Sequence, residues 1–199
     1  MARKRTSGLP PGAWRVEEAI WGEHQRVRLI TGLPSIIDDQ ERVRSVHAVA
    51  MLTDGRLVLA ENKDGSFTFP GGRLEGGETQ HQALVRELWE EVRTRLKPDY
   101  KPLAATRIEF MNRVPGRVYR VHPTYLLWVS GTVAELSDEP HHDPADSVVG
   151  RRVCTPEEAL TLLPELERRV LETCLGRLPE PTGVIRELVV EGDSDEESA

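Results

Sequence analysis

The chain has 199 residues, of which 38% are hydrophobic and 30% are charged, enough for one domain with a good core and short extensions. Its formal net charge of -7 argues against general attraction to a nucleic-acid backbone, and no apolar run approaches the length of a membrane helix. We therefore expect neither a nucleic-acid nor a membrane partner. The two cysteines, Cys154 and Cys174, lack the spacing of a metal site, which fits a reducing cytoplasm.

The N-terminal part divides into two segments. Residues 1–12 are basic and then rich in glycine and proline, which predicts a mobile start without the apolar core of a signal peptide. Residues 13–42 form an N-terminal extension with at least one strand, near residues 27–30. Trp14 and Trp21 in this extension favour packing against the domain, although stacking on a nucleobase or contact within a homodimer stays open.

A hairpin is predicted after the extension. Residues 43–52 are apolar and β-branched, as in a buried strand, and Asp54 with Gly55 suits the turn. Residues 56–60 return as the second strand. Residues 67–69 alternate and lead into a glycine turn.

A helix should begin after Thr79, which can form a capping box with Gln82, and should stop ahead of Pro98. Further strands are predicted at residues 103–110 and 118–129, followed by a polar loop over residues 135–149. A second helix begins after Thr155, restarts at Pro164 and ends at Gly176. This order predicts an α/β protein with a mixed β-sheet between helices.

We place the main domain at residues 43–178. Residues 179–199 form a C-terminal extension whose acidic tail we expect to be disordered.

Acidic residues cluster on one side of the first helix. Glu87, Glu90 and Glu91 lie within about 100° of each other on a helical wheel, and apolar residues such as Leu84 and Leu88 lie opposite. Like charges at this spacing destabilise a bare helix, so a compensating cation is expected. Arg86, four residues before Glu90, can pair with it, and a divalent cation would compensate more fully.

This stretch resembles the Nudix box. The residues that fit are Gly72, Glu78, Arg86, Glu87, Leu88, Glu90 and Glu91. The resemblance implies a Nudix-like α/β/α sandwich over about residues 43–176. It also implies attack of water on a phosphorus of a diphosphate linkage, assisted by Mg²⁺, with Mn²⁺ as an alternative ion.

The resemblance also implies roles for particular residues. Glu87, Glu90 and Glu91 are expected to bind the metal together with the carbonyl of Gly71, and Glu78 braces the loop. The catalytic set implied is Arg86, Glu90, Glu91 and a further acidic residue from the polar loop. For that residue Asp146 is the first candidate, with Asp143 and Glu139 behind it, and the identity of the general base stays open.

The last two box positions depart from the family pattern. Arg93 stands where the family has glycine, and Thr94 where it has an apolar residue. Because arginine does not adopt the left-handed conformation cheaply, we expect the helix to run about one turn further and bury Leu96.

Several other polar residues could serve the site, but each has a simpler interpretation. His141, His142 and Asp143 are more typical of a polar surface loop than of a metal site, and buried cysteine is the default for Cys154 and Cys174. The candidate phosphate binders, each more often a plain surface charge, are Lys63, Arg107, Arg113, Arg117 and Arg120.

The sequence thus predicts a hydrolase for a small nucleotide substrate. Family markers for ADP-ribose and dinucleoside polyphosphates are missing around residues 110–112, which favours a nucleoside di- or triphosphate or another nucleoside diphosphate derivative. The alternative is a nucleotide-binding sensor or interaction module on the same fold with attenuated catalysis. An isoprenoid diphosphate isomerase is disfavoured because no cysteine precedes the box.

Overall fold

The computed structural model describes residues 10–22, 24–140, 143–144 and 147–177, together with the backbone of residues 187–190. The strands within these residues are β1 (Ala13–Trp21), β2 (Gln25–Gly32), β3 (Val43–Met51), β4 (Leu57–Asn62), β5 (Phe67–Thr68), β6 (Gly71–Arg73), β7 (Thr94–Leu96), β8 (Lys101–Phe110), β9 (Thr124–Leu136), β10 (Val148–Cys154) and β11 (Glu187–Val190). The α-helices are α1 (Gln80–Val92), α2 (Pro156–Leu162) and α3 (Glu165–Cys174).

These strands form a mixed sheet with the order β10-β4-β3-β9-β8-β2-β1-β11, and β5, β6 and β7 add to β4, β3 and β9. β3 pairs in parallel with β9, and β1 with β11, whereas the other strand pairs that the structure describes are antiparallel. The long β3–β9 pairing places β3 in the centre of the sheet.

Helices cover both faces of this sheet. Alternation along β3 sends Ala48 and Ala50 into the core that contains Leu88 of α1. It sends Val49 into the opposite core, which contains Val170 of α3. The predicted mixed sheet between helices, with the layers of an α/β/α sandwich, is therefore confirmed.

Helix α1 begins as the sequence predicts. The Thr79 hydroxyl accepts the Gln82 backbone N–H, and the Gln82 side chain accepts the Thr79 N–H, which completes the capping box. Leu84 and Leu88 are buried against the sheet. The opposite side of the helix is thereby left to the polar residues.

The expected extension of this helix is wrong. α1 ends at Val92, and Arg93 adopts the left-handed conformation with φ 51° and ψ 45°, its N–H donating to the Leu88 carbonyl. Thr94 then starts β7, which pairs with β9 and takes Leu96 into the sheet. Pairing with β9 and the side-chain contacts of Arg93 offset the free-energy cost of this conformation. Local sequence alone shows the cost but not these contacts.

Two other boundaries differ from the predictions. The strand expected at residues 118–129 begins only at Thr124, because Pro123 has no N–H to donate to a ladder. The loop expected at residues 135–149 is shorter on both sides, since β9 continues to Leu136 and β10 begins at Val148.

The N-terminal extension belongs to the same sheet. β2 pairs along β8, and β1 pairs with β2, so residues of the extension continue the central sheet directly. The expectations for residues 1–9 and for the acidic tail at residues 191–199 concern residues outside the described part of the chain. In the described part, none of the helices is long and apolar enough to cross a membrane.

Candidate active site

Gly72 lets a carboxylate approach the backbone of β6. A Cβ on this residue would lie 2.4 Å from Oε1 of Glu87 and 2.6 Å from its Cδ, far inside van der Waals contact. The glycine therefore makes room for Glu87 to reach from α1 to the strand.

Gly71 positions the next carboxylate. Its φ of 138° and a Cβ position only 2.3 Å from the Val46 carbonyl oxygen both require glycine. Its N–H donates to Glu91 Oε2 at 2.8 Å. The glycine pair thus holds two carboxyl groups of the helix, Glu87 and Glu91, against β6.

Arg86 is the hub of the acidic side of α1. Its guanidinium donates to both carboxylate oxygens of Glu78, at 2.8 and 3.0 Å, and to Glu90 Oε2 at 3.1 Å. It also lies 3.0 Å from Glu87 Oε1 and donates to the Arg73 carbonyl oxygen at 3.0 Å. The pairing with Glu90 that the helical spacing predicts is present, and the same arginine ties Glu78 and the glycine loop to the helix.

Burial makes these carboxyls hard to ionise. Burial raises the pKa of Glu91 to about 8, with repulsion from Glu87 and Asp143 adding to the effect and the Gly71 N–H opposing it. Burial also raises the pKa of Glu87, against the attraction of Arg86. With its pKa at about 8, the Glu91 carboxyl retains a proton near neutral pH until positive charge is added.

The three acidic candidates from the polar loop have different outcomes. Asp146, the first candidate, lies outside the described residues. The charge of Asp143 raises the pKa of both Glu87 and Glu91, and its Oδ2 accepts the N–H groups of Ser147 and Val148 at 2.7 and 2.8 Å. Glu139 lines a cavity of about 270 Å³ with Glu91.

Glu167 was not predicted. It lies on α3, is 9% exposed, and its Oε2 accepts the Phe69 N–H at 2.5 Å. Burial raises its pKa to about 8, and repulsion from Glu91 adds to this. The available signal was helical spacing, because Glu167 lies three and four residues before the apolar Val170 and Leu171 and so shares their buried side.

His47 satisfies the other polar group of Phe69. Its Nδ1 lies 3.2 Å from the Phe69 carbonyl oxygen, which can only accept, so Nδ1 carries the hydrogen. The ring keeps some exposed surface yet is enclosed by protein atoms, and this enclosure lowers its pKa to about 4. Neutral His47 on β3 and Glu167 on α3 therefore fix the peptide groups that lead into Gly71.

Most candidate phosphate binders and both cysteines contact other parts of the protein. Lys63 lies beside the Asp143 loop through its N–H, which donates to the Ser147 carbonyl at 3.0 Å. The Nε of Arg107 lies 2.9 Å from Oε1 of Glu109. Arg113 and Arg117 lie over the rings of Tyr119 and Phe110. Cys154 is buried, and both cysteines are free.

The site has the donors for a divalent cation but not a preformed cage. Among the described residues, no three His, Cys, Asp or Glu side chains converge as metal ligands. The carboxyl oxygens of Glu87, Glu90 and Glu91 and the Gly71 carbonyl are the hard donors that Mg²⁺ and Mn²⁺ take. The close approach permitted by Gly72 and the raised pKa of Glu91, which a cation would lower, both fit such an ion.

Comparison with curated proteins gives pyrophosphohydrolases. An RNA pyrophosphohydrolase of Sodalis glossinidius is 37% identical over 86 residues, which cover 43% of this chain and 49% of that protein. A CTP pyrophosphohydrolase of Escherichia coli is 32% identical over 124 residues, covering 58% of this chain and 78% of that protein. The chain thus spans about half the length of the first of these relatives and more of the second.

Solved structures share the fold. A NUDIX hydrolase from Nitrosomonas europaea superposes with a TM-score of 0.51 at 20% identity, over 70% of this chain and 93% of that one. A pyrophosphohydrolase of Bacillus subtilis gives a TM-score of 0.50 at 19% identity, over 81% and 94%. A family model described as the NUDIX domain matches residues 41–174, which include the glycine turn, α1 and α3. With the box residues placed on one loop and helix, this chain belongs to the Nudix family.

Proposed function

We propose that this protein is a metal-dependent hydrolase that cleaves a diphosphate linkage in a nucleoside di- or triphosphate or another nucleoside diphosphate derivative. The observation that carries the proposal is the pair of glycines at the start of β6. Gly72 makes room for Glu87, and the Gly71 N–H donates to Glu91. Two carboxyls held against the glycine backbone of β6 suit an ion that neutralises phosphate oxygens.

The relatives support the substrate class. Two relatives are named RNA pyrophosphohydrolase and CTP pyrophosphohydrolase, and both names denote hydrolysis of a pyrophosphate linkage. We carry only this shared chemistry to the present chain, and propose a small nucleotide as its substrate. The free cysteines Cys154 and Cys174 suit a reducing cytoplasm as its place of action.

The metal ligands in this proposal are Glu87, Glu90, Glu91 and the Gly71 carbonyl, and the family generally uses divalent ions. Mg²⁺ or Mn²⁺ bound there would neutralise phosphate charge and acidify water. Arg86 orients Glu87 and Glu90 from the helix side.

In the chemical step, a water oxygen forms a bond to phosphorus and the bridging P–O bond breaks. The proton of the water passes to a carboxylate. We assign that role to Glu91, because the Gly71 N–H orients its carboxyl at 2.8 Å and a bound cation would keep it ionised and able to accept a proton.

A nucleotide-binding sensor is the second candidate. It is favoured because Arg86 is already paired with Glu78, Glu87 and Glu90, and because no metal cage is preformed among the described residues. A sensor would bind a nucleotide tightly and release no product.

One experiment separates the two functions. The purified protein is incubated with Mg²⁺ or Mn²⁺ and a panel of nucleoside di- and triphosphates, nucleotide sugars, dinucleotides and coenzyme A, and products are identified by chromatography. We expect cleavage of at least one compound, and a fall in kcat of about 10²-fold or more in Glu91→Gln. Glu157→Gln on the exposed start of α2 is the matched control and should retain activity.

Binding without cleavage by the wild type would favour the sensor. Full activity in Glu91→Gln would show that the proton acceptor is a different group.

A further inference from the structure

The loop after β9 is tied to the end of α1 by Arg93. The Arg93 Nε donates to the Pro140 carbonyl at 2.7 Å, and the Arg93 carbonyl accepts the Ser137 N–H at 3.0 Å. One residue therefore contacts both ends of residues 137–140 with its side chain and its backbone. The helix end and the loop entry are joined at this point.

Arg151 of β10 completes the junction from the other side. Its Nη1 donates to the Val92 carbonyl at 3.1 Å and also to the Ser137 carbonyl, and its Nη2 donates to Asp138 Oδ1 at 3.0 Å. The last carbonyl of α1 and the first residues of the loop thus share one guanidinium. Arg93 and Arg151 also line the same cavity as Glu91.

The backbone of Arg93 is unusual for this residue type. Among the described residues, Arg93 is the only non-glycine residue with a positive φ, at 51°. This conformation costs an L-residue free energy, whereas glycine adopts it freely. Its side chain also donates from Nη1 to the Trp89 carbonyl at 2.8 Å, so the guanidinium bridges helix and loop. A costly conformation persists where the surrounding contacts compensate for it.

The residues so anchored lie beside the acidic side of α1. Asp138, Glu139 and Pro140 line the cavity of about 270 Å³ that Glu91 also lines, and Asp143 follows Pro140 by three residues. Its Oδ2 is held by the Ser147 and Val148 N–H groups at the far end of the loop. The near end, toward Asp143, is held by Arg93 at Pro140.

We propose that Arg93 is a positioning residue, which fixes residues 137–140, and with them Glu139, on the end of α1 beside Glu91. The inference rests on the proposed function for its effect on catalysis. The box has a glycine cap at this position. In this chain Arg93 both caps the helix and places residues 137–140.

A matched pair of variants separates positioning from stability. Arg93→Gly and Arg93→Ala both remove the contacts to Pro140 and Trp89, but only alanine still has a Cβ in the left-handed conformation. We expect the Tm of Arg93→Gly to exceed that of Arg93→Ala by about 3 °C. We expect kcat to fall by about tenfold in both variants alike, as for other groups that orient a site through a neighbour.

A second readout does not depend on turnover. Mn²⁺ is titrated into the nucleotide-free protein and followed by electron paramagnetic resonance, and we expect about tenfold weaker binding in both variants. Wild-type kcat and Mn²⁺ affinity in Arg93→Gly would overturn the inference. So would activity that follows Tm, with the glycine variant near wild type and the alanine variant impaired. Failure of the proposed function would show instead in the wild type, as binding of Mn²⁺ without cleavage.

Discussion

At the residue scale, the missing side chain of Gly72 is as important as the carboxylates around it. The carboxyl of Glu87 fills the space that a Cβ would need, so a methyl group there must displace either the carboxyl or the strand. A displacement of about 1 Å at a reacting centre can lower the rate about 10²-fold.

Gly72→Ala should therefore abolish most activity while the protein remains folded. We expect kcat/KM to fall about 10²-fold, with unfolding in urea showing a smaller loss, about 1–3 kcal/mol for the overpacked position. Gly76→Ala is the control in the same loop, because a Cβ there meets nothing within 4 Å. Equal activities of the two variants would contradict the role of Gly72.

The sequence predicts which residues lie together where their placement follows from helical spacing. Glu87, Glu90 and Glu91 are placed on one side of α1 by helical spacing alone. Glu167 could not be placed beside Glu91 in this way. Its approach to Phe69 depends on how α3 packs across the sheet, and its separation from Phe69 is 98 residues.

At the scale of elements, local signals predicted the start of α1 but not its end. The capping box of Thr79 and Gln82 involves four consecutive residues and is present as predicted. The end at Val92 is decided by non-local contacts, namely the Arg93 bond to Pro140 and the pairing of Thr94 with Leu136. Backbone propensity includes the cost of a left-handed arginine but not the contacts that offset it.

The N-terminal extension illustrates the same limit. β1 is joined to α3 by Arg15, which donates to Glu165 at 2.8 Å and to Glu17, with Arg15 and Glu17 at 6% and 1% exposure. The extension therefore supports the helix that carries Glu167. Sequence showed a strand here, but not that a buried arginine would connect it to the far helix.

Arg15→Ala should destabilise the protein strongly, because it leaves Glu17 buried without its cation. We expect a loss of about 3 kcal/mol in the free energy of unfolding, measured with urea at pH 7. The double variant Arg15→Met with Glu17→Leu should recover much of this loss, since it removes both charges.

The control for Arg15→Ala is Arg26→Ala on β2. The Arg26 side chain is 57% exposed and lies 3.4 Å from Glu18, so its loss should change stability by less than about 1 kcal/mol. Equal losses of unfolding free energy for Arg15→Ala and Arg26→Ala would show that Arg15 does not stabilise the connection between β1 and α3.

At the scale of the whole molecule, the strip from Phe69 to Gly71 is held from both layers of helices. Glu91 reaches it from α1 and Glu167 from α3, and each accepts one backbone N–H. The two carboxyls repel each other when both are ionised. The fold thus brings two acidic groups with raised pKa values to the backbone of residues 69–71. The stability of the protein should therefore depend on pH.

The direction of that dependence follows from Glu167. Burial raises its pKa in the folded protein to about 8, whereas an unfolded chain has the ordinary value near 4.3, so between these values the folded state binds more protons. The associated stability is complete at low pH and is lost as pH rises through about 8. His47 contributes a smaller slope of opposite sign, because it is neutral in the folded protein at a pKa of about 4 while an unfolded imidazole binds protons up to about pH 7. This contribution is the same in the wild type and in a variant at Glu167.

Metal-free wild type should therefore lose stability between pH 6.5 and 8, and Glu167→Gln should lose less. The amide of glutamine is an uncharged isostere of the protonated acid, so the variant has no proton to release at this position. We expect the urea-unfolding free energy of Glu167→Gln to fall by about 1–2 kcal/mol less than that of the wild type over this range. Glu157→Gln, at an exposed position, should follow the wild-type curve. Parallel curves for Glu167→Gln and the wild type would contradict a protonated Glu167, and would mean that α3 holds Phe69 with an ionised carboxylate compensated by another charge.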